Sequence, residues 1–365
     1  MIRTLFMTIA MLSLLFTNPF AATKGFVAIQ ILGSSNVSKL LNRAKAKSIE
    51  ALGYITISNP NNVELTNFQI KVTGMPVDTK YTIVDPTGKT IPYCFEQPNG
   101  ECNNLLPSAT IWLKVHQIPA KGTVRLTLKK TQKVVAVNGN QVFDLYDDFS
   151  NGIDWSKWQV SSPGGDNGKT AAVSQSDVCI VDGKVHLDCK SKNLVSIALL
   201  SKKTFSNFAG HTIELSFQQI SGKTDDDAVA LVFAYQSISN TYFAVVCFGD
   251  TSWGASTALA ARNVDSNESV GDATRKTPVD TAMHTIKVDY ISADTVNKVS
   301  NVAYYLDGHL VSELNIPTND YKDFFAYQGR VGFGTFYMQH GALFDWIRVR
   351  KYAPKTPVVS VEIRH

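Results

Sequence analysis

From Leu52 onward the apolar positions recur with a period of two, in short runs closed by turn residues. Tyr54–Ser58, Leu65–Thr73, Tyr81–Val84, Lys89–Phe95, Ala109–Val115 and Thr123–Lys130 follow one another across Asn59-Pro-Asn-Asn, Asp85-Pro-Thr-Gly and Ile118-Pro-Ala-Lys-Gly. The same rhythm continues in Val178–Cys189, His211–Gln218, Thr285–Tyr290, Val302–Leu314, Gly329–Phe336 and Leu343–Tyr352. Asp182-Gly183 and Asp307-Gly308 mark two-residue hairpin turns, because both central positions of that turn need positive φ. Ala228–Tyr235 and Tyr242–Phe248 are apolar throughout, as expected of paired antiparallel strands in the middle of a sandwich. Strands this short, with a turn about every 8–12 residues, predict an all-β chain of two β-sandwich domains. The exception is Ser38–Ala51, whose spacing admits one short amphipathic helix in a lead-in over residues 23–51.

The first residues set the compartment. A basic start (Met1-Ile2-Arg3), an apolar run (Thr4–Phe16) and small residues at Ala21-Ala22 have the form of a secretory signal peptide over 1–22. No other stretch is long and apolar enough for a transmembrane helix, so the mature chain is expected outside the cytoplasm: secreted, periplasmic or at the cell surface. The predicted domains are 52–146 and 147–353, with 354–365 as a tail. The net charge of +4 conceals an asymmetry: residues 24–143 hold 14 Lys/Arg against 6 Asp/Glu, and residues 144–365 hold 20 against 25. The basic half lacks interleaved aromatics for stacking bases, so no nucleic-acid partner is expected.

Of the five cysteines, Cys94 and Cys102 flank an evident turn and are expected to form a disulfide, stabilising by about 2–3 kcal/mol. Around the Asp182-Gly183 turn Cys189 pairs with Ser176, too far from Cys179, so those two are expected to remain unbonded. Cys247 is expected as a buried thiol, with Cys189 its one conceivable partner.

Two resemblances organise these pieces. The segments Ile111-Trp-Leu-Lys-Val-His-Gln-Ile-Pro-Ala-Lys-Gly-Thr and Val142-Phe-Asp-Leu-Tyr-Asp-Asp-Phe resemble the DUF2341 domain, a β module of exported proteins, over roughly Leu52–Phe149. Some members of that family are fused to ExbB-type transport proteins. From Asp147, the form Asp-Asp-Phe…Trp155…Trp158, the stretch Thr224–Val246 and the stretch Gly329–Val349 are similar to concanavalin A-like jelly rolls, those of laminin-G and thrombospondin C-terminal type.

Candidate chemistry is sparse. Glycosidases on such a fold place paired carboxylates on one strand face. Residues 147–365 contain only Glu214, Glu268, Glu313 and Glu362, none with a carboxylate two positions on. Histidine and cysteine spacings offer no zinc motif. Asp225, Asp226 and Asp227 are candidate calcium ligands, as the thrombospondin-like resemblance implies; the preferred reading, because the remaining ligands cannot be named, is that they solubilise the end of a buried strand. Trp253, Tyr242 and Tyr337, on or beside loops, are the candidate aromatics for stacking on a sugar. Trp112, Trp155, Trp158 and Trp346 read as core. The expected function is a non-catalytic exported protein binding a glycan or another envelope component. The alternatives are an envelope scaffold making protein–protein contacts, and a glycoside hydrolase with an unrecognised site.

Overall fold

A computed structural model describes residues 51–162, 172–190, 196–221, 228–237, 240–248, 257–263, 280–316, 325–336 and 341–364. The candidate residues Asp225, Asp226, Asp227, Trp253 and Tyr337 lie outside them, as do the leader and all of the expected helix except Ala51. Leu52–His365 forms one compact unit that contains both sandwiches. Among the described residues, no helix is long and apolar enough to cross a membrane.

The first sandwich is built from β1 (Ala51–Ser58), β2 (Leu65–Thr73), β3 (Tyr81–Val84), β4 (Tyr93–Glu96), β5 (Cys102–Asn103), β6 (Thr110–Ile118) and β7 (Thr123–Lys130). A single turn of helix, α1 (Gly139–Val142), capped by the Asn138 side chain, then leads into β8 (Leu145–Asp147). The second sandwich adds β9 (Trp158–Ser161), β10 (Val178–Val181), β11 (Lys184–Leu187), β12 (Ser196–Ser201), β13 (His211–Gln219), β14 (Ala228–Ser237) and β15 (Asn240–Cys247). It continues with β16 (Thr257–Asn263), β17 (Met283–Asp294), β18 (Val299–Leu306), β19 (His309–Ile316), β20 (Arg330–Phe336) and β21 (Ala342–Lys351), and the chain closes with β22 (Val358–Ile363).

Sheet order shows how the sandwiches are put together. A four-stranded sheet, β22-β1-β7-β3, faces β2-β6-β4-β5, and the alternating apolar side chains of both bury a common core that includes Ile55, Phe68, Tyr93, Leu113 and Leu128. The residues expected to form a trailing tail, 354–365, do not trail. β22 pairs antiparallel with β1 from Gly53↔Ile363 to Ser58↔Val358, so the chain returns to complete the first sandwich. The alternation of apolar and polar residues in Val358–Ile363 follows from this half-buried position.

The second sandwich faces a six-stranded sheet, β16-β15-β14-β20-β12-β9, with an eight-stranded one, β10-β11-β21-β13-β17-β18-β19, in which β8 also pairs with β21. Aromatic side chains fill the space between them. Phe333 meets Phe149, Trp158 and Phe344, and Phe233 meets Tyr242 and Tyr290. Both Asp-Gly turns form as read, with positive φ at Asp182, Gly183, Asp307 and Gly308.

The cysteines require one correction. Cys94–Cys102 is bonded, with Cα atoms 5.4 Å apart. Cys179–Cys189 is bonded as well, with Cα atoms 6.1 Å apart. The hairpin register is the one expected, with Cys179 opposite His186 and Val178 opposite Leu187. Beyond Leu187, however, Asp188 takes a left-handed conformation (φ 65°) and the Cys189 N–H donates to the Asp177 carbonyl. This curl brings Cys189 back toward Cys179. Cys247 is left as a free, buried thiol, not a partner of Cys189, and burial pushes its pKa up to about 12.

Candidate functional site

Strand alternation gives the eight-stranded sheet an outer face, and the first sandwich docks on part of it. Outward residues of β2, β4 and β6 (Gln69, Lys71, Glu96, Trp112 and Lys114) meet outward residues of β13 and β21. Arg348 is the hub. It is 5% exposed, donates from Nε to Glu214 Oε2 at 2.6 Å, and reaches Glu96 Oε1 from Nη1 at 3.3 Å. The Glu96 carboxylate also pairs with Lys71 and accepts from Trp112 Nε1 at 2.8 Å. Arg350 Nε reaches the same Glu214 oxygen, Oε2, at 3.1 Å. Burial by itself would raise the Glu214 pKa, but the two guanidinium groups override it and hold the carboxyl far below the usual range.

Aromatic rings close over the hub: Arg348 lies 4.7 Å from the Trp112 ring centroid and 4.5 Å from that of Trp346. The Cys94–Cys102 disulfide belongs to the same layer, buried with Trp112, Val142, Phe143 and Tyr146. It closes the hairpin whose tip docks on β21. Trp346 Nε1 donates to the Asn99 carbonyl at 2.7 Å, and Arg348 Nη1 to the Gly100 carbonyl at 3.2 Å. Gly100 has φ +90°, and a Cβ there would lie 2.6 Å from the Trp346 ring, so only glycine permits this approach. Trp112 and Trp346 are therefore buried as expected, but between sandwiches and not within one.

Carboxylates gather beside this hub. Burial first, then Asp345 and Asp148, pushes Glu101 upward. Asp345 is raised by its own burial, against Lys184 and the Asn99 amide, which donates to it at 3.2 Å. Glu214, the second-sandwich glutamate on this face, is thus a buried ion-pair partner whose Oε2 takes both Arg348 and Arg350.

Away from the first sandwich the outer face changes character. The register places Arg350, Thr212, Asp289, Ala303 and Glu313 side by side in one row. Arg348, Glu214, Lys287, Tyr305 and Leu310 form the next. Thr212 Oγ1 donates to Asp289 at 2.6 Å, Lys287 Nζ donates to it at 2.9 Å, and the same ammonium lies 3.7 Å from the Tyr305 ring centroid. Tyr305 is half-buried and held upright by these neighbours; burial, then Asp289, Tyr352 and Glu313, raises its pKa. A small residue, Ala303, lies between the two carboxylates. The result is a shallow aromatic and polar strip on a rigid sheet, with a planar ring, fixed donors and fixed acceptors. Its chemistry is hydrogen bonding and ring stacking.

The sequence-derived aromatics are distributed differently. Tyr242 is fully buried, with its ring against Phe233 and its hydroxyl accepting from the Ala326 N–H at 3.3 Å, so it offers a ligand nothing. It lies within β15, a core strand, where alternation turns it inward. Tyr304 and Tyr305 are adjacent on one strand. One of the pair must face out, and the register assigns that position to Tyr305.

The chain is similar over part of its length to several solved structures. One is a chain from work on endo-acting O-glycanases expressed by members of the human gut microbiota, at 13% identity, covering 58% of this chain and all of that one, with TM-score 0.42. Another is the carbohydrate-binding module CBM66 from Bacillus subtilis, at 17% identity, covering 53% and 96%, with TM-score 0.37. A third is a Bacillus subtilis protein of unknown function with a galectin-like fold, at 12% identity, covering 61% and 97%, with TM-score 0.41. No curated protein matches the chain. Residues 78–161, from just before β3 through the docked junction to the end of β9, match the family described as a domain of unknown function, DUF2341.

Proposed function

We propose that the chain is an exported, non-catalytic binding protein whose second sandwich, a concanavalin A-like jelly roll, recognises a glycan on the outer face of its eight-stranded sheet. The observation that carries this reading is the strip of Lys287, Tyr305 and Glu313, with the buried Thr212 and Asp289 behind it fixing the Lys287 ammonium. It pairs an aromatic ring with oriented polar groups, which is what a saccharide's apolar face and hydroxyl edge require. Two disulfides and a leader-like N-terminus support export. The structural similarities to carbohydrate-binding and galectin-like domains agree with the direction of the proposal.

The test is a broad glycan array probed with purified protein lacking residues 1–22, with and without calcium. Tyr305→Ala should weaken the strongest hit about tenfold or more and leave the melting temperature within a few degrees. A blank array for the unaltered protein sinks the proposal.

One observation favours a second reading. Asp289 and Glu313 face the same side two strands apart, at a Cα spacing of roughly 9–10 Å from ordinary strand separation, which admits a hydrolytic pair. Binding is preferred because Thr212 and Lys287 already engage Asp289. Release of reducing ends from an array hit, abolished in Asp289→Asn, would reverse that preference.

A further inference from the structure

The hairpin of β10 and β11 carries a cluster of soft donors that the glycan reading does not use. Cys179 stands directly opposite His186 in the register, and the left-handed turn at Asp188 folds Cys189 back onto the same pair. In sequence the three read Cys-x6-His-x2-Cys, which is no linear zinc motif; the hairpin makes them neighbours. His186 Nδ1 lies 4.0 Å from Cys179 Sγ, and Cys189 Sγ lies 3.2 Å from the His186 carbonyl oxygen. One donor atom from each residue lies within 4.8 Å of the other two. The far edge of the ring is closed off. A Cβ at Gly341 would lie 2.6 Å from His186 Nε2, so only glycine, here at φ +81°, lets the backbone come so near.

A tetrahedral zinc ion, with Zn–S of about 2.3 Å and Zn–N of about 2.0 Å, sets its donor atoms roughly 3.5–3.8 Å apart. His186 and Cys179 are about half an ångström from that spacing. The two sulfurs are bonded to each other and must part to reach it. They have room to do so, because β10 is the edge strand of its sheet and Cys189 lies beyond the end of β11. This disulfide is also the accessible one. Cys94 and Cys102 are fully buried, whereas Cys179 and Cys189 are half-buried, so a reductant reaches the second pair first.

We propose that Cys179, Cys189 and His186 form a redox-gated site for a thiophilic cation of the zinc type, closed while the disulfide stands and open once it is reduced. A dithiol supplies the two electrons and two protons that break the S–S bond, and ends as its own disulfide. Metal binding then releases both thiol protons and forms two metal–sulfur bonds. Two thiolates and one imidazole give three ligands, and solvent the fourth. A bound ion restores, in reducing surroundings, the cross-link that the disulfide supplies in oxidising ones. Three strands, β21, β13 and β17, separate β11 from the β18 strand of Tyr305, and neither reading depends on the other.

Titration with Co2+ tests the site, since thiolate-bound cobalt is coloured and Zn2+ displaces it. The purified protein is treated with dithiothreitol without denaturant and desalted under argon, beside an untreated sample. The reduced native protein should show two reactive thiols per chain, with Cys94, Cys102 and Cys247 out of reach. It should take up one equivalent of Co2+ with a thiolate-to-cobalt charge-transfer band, release protons, and lose the band to one equivalent of Zn2+. The untreated protein should show no band. Cys179→Ser should abolish it. His186→Ala should weaken Co2+ binding at least tenfold with the thiol count still two, since even a side chain that only orients a ligand is worth about 10–100-fold. Absence of the band in the reduced protein overturns the proposal, as does a band that survives Cys179→Ser or an affinity unchanged in His186→Ala. A band that appears only after Cys94–Cys102 is also reduced overturns it too.

Discussion

Replacing Arg348 by Met tests whether the buried hub is what holds the sandwiches together. The substitution keeps an apolar stem between Trp112 and Trp346 and removes the charge from between two carboxylates. Deleting one partner of a buried ion pair costs about 3–5 kcal/mol, because the other is left charged and desolvated. The lower end applies here. Glu214 keeps Arg350 at 3.1 Å, and Glu96 keeps Lys71 and the Trp112 N–H. A loss of about 3 kcal/mol corresponds to roughly 4–5 °C in a unit of this size. The assay is urea unfolding followed by tryptophan fluorescence, since Trp112 and Trp346 border the substitution. Wild type should unfold in one transition, and Arg348→Met in two as the sandwiches separate. Titration adds an independent signature. The folded Glu214 pKa is depressed, so its contribution is present above the unfolded value of about 4.3 and fades as pH falls below it. Arg348→Met should flatten that acid limb. A loss under about 1 kcal/mol with a single transition retained would refute the argument.

Three further outcomes are expected. Replacing Cys94 and Cys102 by Ala should cost about 2.5 kcal/mol from loop-closure entropy alone, read as a lower urea midpoint, and more if the Asn99–Gly100 tip comes off Trp346. His284 bonds Asp307 Oδ2 from Nδ1 at 2.8 Å and Asp280 Oδ1 from Nε2 at 3.0 Å; the Asp307 bond, outweighing burial, raises its pKa. Its stabilisation is therefore full below the unfolded pKa of about 6.5 and lost as pH rises through the folded one, so stability should fall as pH rises above that value, and His284→Asn should remove that slope. Cys247, with its thiol pushed up to about 12, should react with a disulfide-exchange reagent only after denaturation, when one thiol per chain titrates.

Local structure was legible in the sequence because strand periodicity and turn chemistry are local. The Asp-Gly turns, the paired apolar strands and the Cys94–Cys102 bridge all followed from neighbours a few residues apart. What could not be read depends on distant register. Glu214 is paired with arginines more than 130 positions away, and nothing in its own strand says so. Val358–Ile363 looked like a tail because its partner lies near residue 55. Cys189 escaped a geometric argument based on straight strands, since one left-handed residue at Asp188 ended the strand early. For the proposed strip, the sequence named other aromatics, and which of Tyr304 and Tyr305 faces outward depends on the register of β18. Trp253, Tyr337 and Asp225–Asp227 lie outside the described residues.

The pairing of β22 with β1 also orders the chain in time. A polypeptide emerging N-terminus first presents β1 some 300 residues before the strand that covers its edge. Until Val358–Ile363 arrives, Ala51–Ser58 is an open sheet edge, able to pair with another chain. The whole second sandwich must be made in that interval. Pairings of such long sequence separation slow folding, and a truncation before Val358 would leave that edge permanently open.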